Sequence, residues 1–156
     1  MESWYYEDYV PGEGFRTMAR TVTETDVVNF IALSGVNEPL FIDQEFLRRE
    51  TEFTGRLVPG LLTFSIGEGL FVQTGVLQGR AIAFLGMDEL RFIRPVYVGD
   101  TIHVRVETKE KRHTRREDRG IVVTRQVIRN QRDEEVISCT LTRMVRRRPP
   151  EKLASG

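Results

Sequence analysis

A chain of 156 residues has room for one domain, at most two small ones, with a hydrophobic core of its own. Hydrophobic residues make up 40% and charged residues 29%, and Lys+Arg and Asp+Glu both number 23, so no net field draws the whole chain to nucleic acid or to an anionic membrane. The single cysteine, Cys139, excludes an intramolecular disulfide and leaves a cysteine-based zinc site without ligands.

Residues 1–13 read as an irregular lead-in ending at Pro11-Gly12. Its start is acidic and aromatic, unlike a signal peptide, so a cytoplasmic chain is expected. Phe15–Val22 alternates weakly and is predicted as a first strand. Thr23-Glu24-Thr25-Asp26 matches a capping box, and Val27, Phe30, Ile31 and Ser34 continue at helical spacing up to Gly35, a left-handed stop. Ser34–Asp43 is then a loop carrying the turn residues Gly35, Asn37 and Pro39. Asp43 is placed to cap a short helix over Gln44–Arg49, with Phe46 and Leu47 on its inner side.

Gly60–Leu77 is the longest helical pattern and is apolar nearly all round, which predicts a buried central helix. Ser65, Gly67 and Gly69 are small enough for another backbone to approach it. The apolar run Leu57–Val72 is broken by Pro59, by glycines and by Glu68, and is too short to span a bilayer. Glu68 is costly there unless paired, so it reads as an ion pair with an arginine, a subunit-boundary contact, or an acid/base residue.

Five strands follow by alternation: Arg80–Gly86, Leu90–Tyr97, Thr101–Lys111, Gly120–Asn130 and Glu135–Arg146, with Arg112–Arg119 as a solvated hairpin tip. Cys139 shares a strand face with Ile137 and Leu141 and reads as a small core residue. His103 falls on the polar face between Ile102 and Val104, and His113 falls in the charged hairpin. One strand before the helix and five after it predict an α+β hotdog: a long antiparallel sheet curled around one central buried helix. The domain spans 14–147, and 148–156 reads as a disordered tail.

Four blocks carry a family resemblance. They are Thr23–Phe30 with Ser34-Gly35, Pro39-Leu40 with Asp43, Gly60-Leu61-Leu62-Thr63, and Arg91-Phe92 with Pro95-Val96 and Gly99-Asp100. A weaker fifth is Asn130-Gln131. Over residues 8 to 147 the chain resembles the MaoC-like dehydratases, also called R-specific enoyl-CoA hydratases. The resemblance implies a hotdog fold, usually a dimer whose sheets join, and an acyl thioester of coenzyme A as ligand. Coenzyme A enters as part of the substrate, so no separate cofactor is implied. The resemblance also implies that a backbone N–H at the start of the central helix holds the thioester carbonyl, and Gly60 matches that position. A helix N-terminus suits this role, because its unpaired N–H groups and partial positive charge stabilise a developing oxyanion. A simple turn before a helix is the packing alternative for Gly60.

Family members place an Asp and a His five residues apart on the loop, and the matching residues here are Val36 and Phe41. Neither transfers protons, and each lost general acid or base typically removes a factor of about 10²–10⁴ in rate. Glu38, Asn37 and Glu68 are the candidate catalytic substitutes, while Val36 and Phe41 read as substrate-binding residues of a drier pocket. Three functions stay open: a hydratase or dehydratase using Glu38 or Glu68, a non-catalytic acyl-CoA-binding subunit of a homodimer or mixed hotdog oligomer, and a hotdog thioesterase. No metal, membrane or nucleic-acid partner is expected.

Overall fold

A computed structural model describes residues 1–150 of the chain; from residue 151 on, the predicted tail lies outside the described residues. The capping box at Thr23 forms as read. The Asp26 amide donates to Thr23 Oγ1 (3.2 Å) and the Thr23 amide donates to Asp26 Oδ2 (2.8 Å). They open helix α1, Glu24–Ser34, which buries Val27 and Ile31 and ends at Gly35 with φ of 72°. A short helix α2, Pro39–Ile42, occupies part of the expected loop, and α3, Gln44–Glu50, is capped by Asp43 as expected. The central helix α4 runs Gly60–Gln73. It stops short of Leu77 because the Thr74 hydroxyl takes the Phe71 carbonyl (2.7 Å) and Gly75 turns the chain at φ of 86°.

Among the described residues six antiparallel strands make the sheet: β1 (Gly14–Arg16), β2 (Arg20–Thr21), β3 (Ala81–Phe92), β4 (Thr101–His113), β5 (Arg119–Arg129) and β6 (Glu135–Arg146). Their order is β1-β4-β5-β6-β3, with β2 also on β4. The sheet curls around α4 without closing, which is the expected hotdog arrangement. Its count is two strands before α4 and four after, not one and five. The single strand expected over Phe15–Val22 is broken at Thr17, whose own hydroxyl accepts the Val104 amide (3.0 Å) where a regular ladder would use a carbonyl. The two strands expected between Arg80 and Tyr97 are one bent strand, β3, held to β6 through three register shifts. Beyond Phe92 the chain leaves the sheet, and Val96–Val98 pair instead with Arg56–Val58 just ahead of α4.

The core sits between α4 and the sheet. Leu62, Ile66, Leu70 and Phe71 from α4 meet Val104, Val122, Ile128, Ile137 and Val145. At Gly67 the helix lies so close that a Cβ would sit 2.4 Å from the Cδ1 of Ile128. Gly69 has open space around it and Ser65 is exposed, so of the three small residues only Gly67 supports the close approach. The lead-in contributes to this core too: Tyr6 and Tyr9 are buried, and Trp4 packs edge-on against Tyr9 and Phe15. Glu7 bonds Arg147 (2.9 Å) and Asp8 bonds Arg148 (2.6 Å), tying both ends of the domain together.

The family blocks near the hairpin have structural work. Asn130 Oδ1 accepts the amides of Arg132 (3.0 Å) and Glu134 (3.1 Å), shaping the β5–β6 turn. Gln131 accepts from the Thr101 amide (3.1 Å) and donates to Asp100 (2.9 Å), fastening that turn to the start of β4. The reading of Cys139 as a core residue agrees with its burial beside Ile137 and Leu141.

His103 departs from its expected exposure on a polar face: it is 3% exposed. It points from the sheet face turned away from α4, since its neighbour Val104 is the residue that meets Gly67. Asp133 lies 3.5 Å from its Nε2, and Arg16, Arg105 and Arg129 are close enough for their charges to act on it, so this residue on the polar side of a strand is nonetheless crowded by neighbours. Burial, and then the nearby charge of Arg16, hold the His103 pKa below its ordinary value.

A base whose folded pKa is depressed leaves full stability above its unfolded value and loses it as pH falls through the folded value. Urea midpoints are therefore expected to fall as pH drops below about 6.5. His103→Gln should flatten that part of the profile; an unchanged slope would remove His103 as its source. Burial, with Glu68 nearby, pushes the Cys139 thiol up to about 11. An aromatic disulfide reagent at pH 8 should thus label Cys139 only as fast as the protein unfolds, and rapid labelling of native protein would contradict its enclosure.

Candidate ligand-binding site

The pairing of Val58 with Val96 brings the start of α4 beside the segment that leaves β3. Pro59 precedes the helix and offers no side-chain cap. Its carbonyl receives the amides of Leu62 (3.0 Å) and Thr63 (3.1 Å), while the Gly60 and Leu61 amides donate to no partner among the described residues. Two free N–H groups at the positive end of a fourteen-residue helix form a ready pair of donors for an acceptor oxygen. Gly60 also has a packing reason, because a Cβ there would lie 2.6 Å from the Phe92 ring.

These amides border a cavity of about 510 Å³. Its walls are Phe41, Phe53, Leu57, Val58, Gly60, Leu61, Thr63, Ile137 and the segment from Phe92 through Val96. The lining is mainly apolar. Its one charged side chain, Arg94, is engaged by Glu134 (3.2 Å) and by the Glu135 carbonyl (3.0 Å). Thr63 supplies the one side-chain hydroxyl, and no carboxylate or imidazole lines this cavity among the described residues.

The loop before it is ordered by short-range bonds. The Ser34 hydroxyl donates to the Phe30 carbonyl (2.6 Å), the Asn37 amide donates to the Gly35 carbonyl (2.8 Å), and the Glu38 carbonyl accepts the amides of Phe41 (2.9 Å) and Ile42 (3.2 Å). Arg56 anchors the loop to α1, donating to the Phe41 carbonyl through one arm and to Glu24 (3.0 and 3.1 Å) through its Nε.

The sequence-derived site residues therefore separate into groups. Gly60 and Phe41 meet in the cavity wall. Val36 is half-buried on the loop but is not part of the lining, and Asn37 and Glu38 face solvent. Glu68 lies eight residues beyond Gly60, about 12 Å along the helix. Its carboxylate pairs with Arg143, whose guanidinium stacks between Phe71 (4.7 Å) and Phe84 (5.0 Å). The ion-pair expectation for Glu68 thus has its partner, and the carboxylate is not a wall of the cavity.

Phe53 and Arg94 carry no signal in the sequence reading, and Thr63 enters it only as the last residue of a family block, not as a site residue. Thr63 was findable, since three residues past Gly60 is the same helix side. Phe92 and Pro95 belong to a family block whose spacing alone does not say that it faces the open end of the helix. Phe53 lies in a segment without periodicity.

Among the described residues no helix is long and apolar enough to cross a membrane, and no group of three His, Cys, Asp or Glu side chains could hold a metal ion. The model of the MaoC like domain matches residues 8–131. Protein MaoC of Klebsiella aerogenes is 43% identical over 116 residues, 73% of this chain and 34% of that protein, so the chain spans about a third of its length. The solved MaoC-like dehydratase from Rhodospirillum rubrum superposes with a TM-score of 0.83 at 29% identity, covering 95% of this chain and 100% of that one. The (R)-hydratase from A. caviae involved in PHA biosynthesis superposes with a TM-score of 0.68 at 27% identity, covering 92% of this chain and 99% of that one. With the curled sheet, the α4 face packed against it and the open helix end already in place, these matches establish that the chain belongs to the MaoC-like domain family.

Proposed function

We propose that the chain is a hydratase-type acyl-CoA protein whose cavity at the α4 N-terminus takes the acyl thioester of a 2-enoyl-CoA or 3-hydroxyacyl-CoA. The observation that carries this reading is the pair of free amides, Gly60 and Leu61, at the rim of a largely apolar cavity. An acyl chain needs the apolar wall, and a thioester oxygen needs the donors. Relatives described as a MaoC-like dehydratase and an (R)-hydratase support the same class of ligand.

The cavity of a single chain favours binding over turnover. Hydration needs a base for the water and an acid for the α-carbon. Phe41 fills the wall where the family resemblance sets a histidine, Val36 replaces the aspartate, and Glu38 points to solvent. We therefore infer a non-catalytic acyl-CoA-binding subunit. The thioesterase reading would need Glu68 or Glu38; Glu68 is paired with Arg143, Glu38 is exposed, and neither lines the cavity.

The exposed edge supports an oligomer. Among the described residues strand β3 has no neighbour on its outer side, and Phe84, Leu85 and Phe92 are exposed along it; Leu61 and Val72 of α4 are also 56% and 50% exposed. A free apolar edge of this length is a pairing surface. We infer that a second hotdog, a copy or a dyad-bearing relative, covers it in the cytoplasm.

The purified chain, incubated with crotonyl-CoA, is expected to bind it without loss of the conjugated absorbance and without release of free thiol, and Glu38→Gln should bind equally well. Hydration by the chain alone, lowered about 10²–10⁴-fold by Glu38→Gln, would instead make Glu38 the working base and sink the binding-only reading.

A further inference from the structure

One polar side chain in the cavity wall is left without a partner by the fold itself. Thr63 is 1% exposed, and its Oγ1 makes no hydrogen bond among the described residues. A helical Ser or Thr ordinarily satisfies its hydroxyl on the carbonyl one turn earlier. Ser65 does so on Leu61 (2.7 Å), and Thr51 does so on Leu47 (2.5 Å). The equivalent carbonyl for Thr63 is that of Pro59, which is already taken by the Leu62 and Thr63 amides. A buried hydroxyl with no partner costs stability that an apolar side chain of similar size would not. The fold gains nothing from the hydroxyl, so its partner is to be sought in what enters the cavity.

Position supports this. Thr63 follows Gly60 by three residues, so both lie on one side of α4 and border the same cavity. Among the described residues, the Gly60 and Leu61 amides and the Thr63 hydroxyl are groups of this wall that make no hydrogen bond. The amides are donors and a hydroxyl is able to donate, so the set fits a ligand that presents an acceptor oxygen. We propose that Thr63 Oγ1 donates a hydrogen bond to the acyl carbonyl oxygen of the ligand, beside the Gly60 amide, and so positions and polarises that carbonyl. The inference rests on the acyl-thioester reading given above.

The test compares wild type, Thr63→Ser and Thr63→Val with crotonyl-CoA, using calorimetry for affinity and difference absorbance for carbonyl polarisation. Donation to the carbonyl draws charge along the conjugated system, so wild type and Thr63→Ser should bind and shift the absorbance band to longer wavelength. Thr63→Val should bind about tenfold more weakly with a smaller shift. Its free form should unfold at a urea midpoint no lower than wild type, because it buries no orphan hydroxyl. Equal affinity and equal shift in Thr63→Val would overturn the inference while leaving the acyl-thioester reading intact. A Thr63→Val chain less stable than wild type, or one that fails to fold, would also overturn it by revealing a structural partner for the hydroxyl. Absence of crotonyl-CoA binding by wild type would overturn the reading and the inference together.

Discussion

At Gly67 the backbone of α4 lies against β5 so closely that one added carbon would meet Ile128 at 2.4 Å. This contact sets the depth at which the helix sits in the curled sheet, and the rest of the molecule is arranged around it. A helix apolar on nearly every side has to be enclosed. The sheet covers one side of it, and Tyr6, Tyr9 and Trp4 of the lead-in close the end near Phe71. The helix start is left open, bounded by Phe92, Val96 and the Arg56-anchored loop. The same arrangement therefore buries Leu62, Ile66, Leu70 and Phe71 against the sheet and leaves the first amides, with Leu61 and Val72, open.

Polar side chains fall into those that fasten this frame and those the frame leaves unsatisfied. Asn130, Gln131 and Asp100 fasten the β5–β6 turn to β4, and Thr23 with Asp26 fastens α1. Glu68 and Arg143 form a largely buried pair whose guanidinium is stacked on two phenylalanines. Removing either partner would strand a charge in the core, so the pair is better understood as a mutual requirement than as a source of net stability. Thr63, Thr124 and Gln126 each keep a buried side-chain atom without a partner among the described residues, and of the three only Thr63 borders the cavity at the open helix end.

The elements whose signals are local were legible in the sequence. The capping box at Thr23, the left-handed Gly35, the Asp43 cap and the alternation over Glu135–Arg146 each depend on neighbours within a few residues, and each is found in the fold. Features decided by distant partners were not. Thr17 breaks the first strand only because Val104 offers it an amide, and β3 runs on through Gly86–Leu90 only because β6 accepts its register shifts. His103 alternates like an exposed residue, yet the side chains around it close over it. In the site, the sequence pointed to Gly60 and Phe41, which the fold joins. It did not reveal that Glu38 faces solvent or that Arg143 claims Glu68, since both depend on how the loop and the sheet pack around α4.

The central claim is that the open N-terminus of α4 receives the acyl carbonyl. Amide resonances followed by ¹H–¹⁵N correlation during titration with a non-reacting acyl-CoA such as butyryl-CoA test it most directly. Saturable shifts of the Gly60 and Leu61 amides are expected as they gain an acceptor, accompanied by changes at Thr63 and Phe92. Saturable binding that leaves Gly60 and Leu61 unmoved, with shifts confined to other parts of the chain, would contradict it.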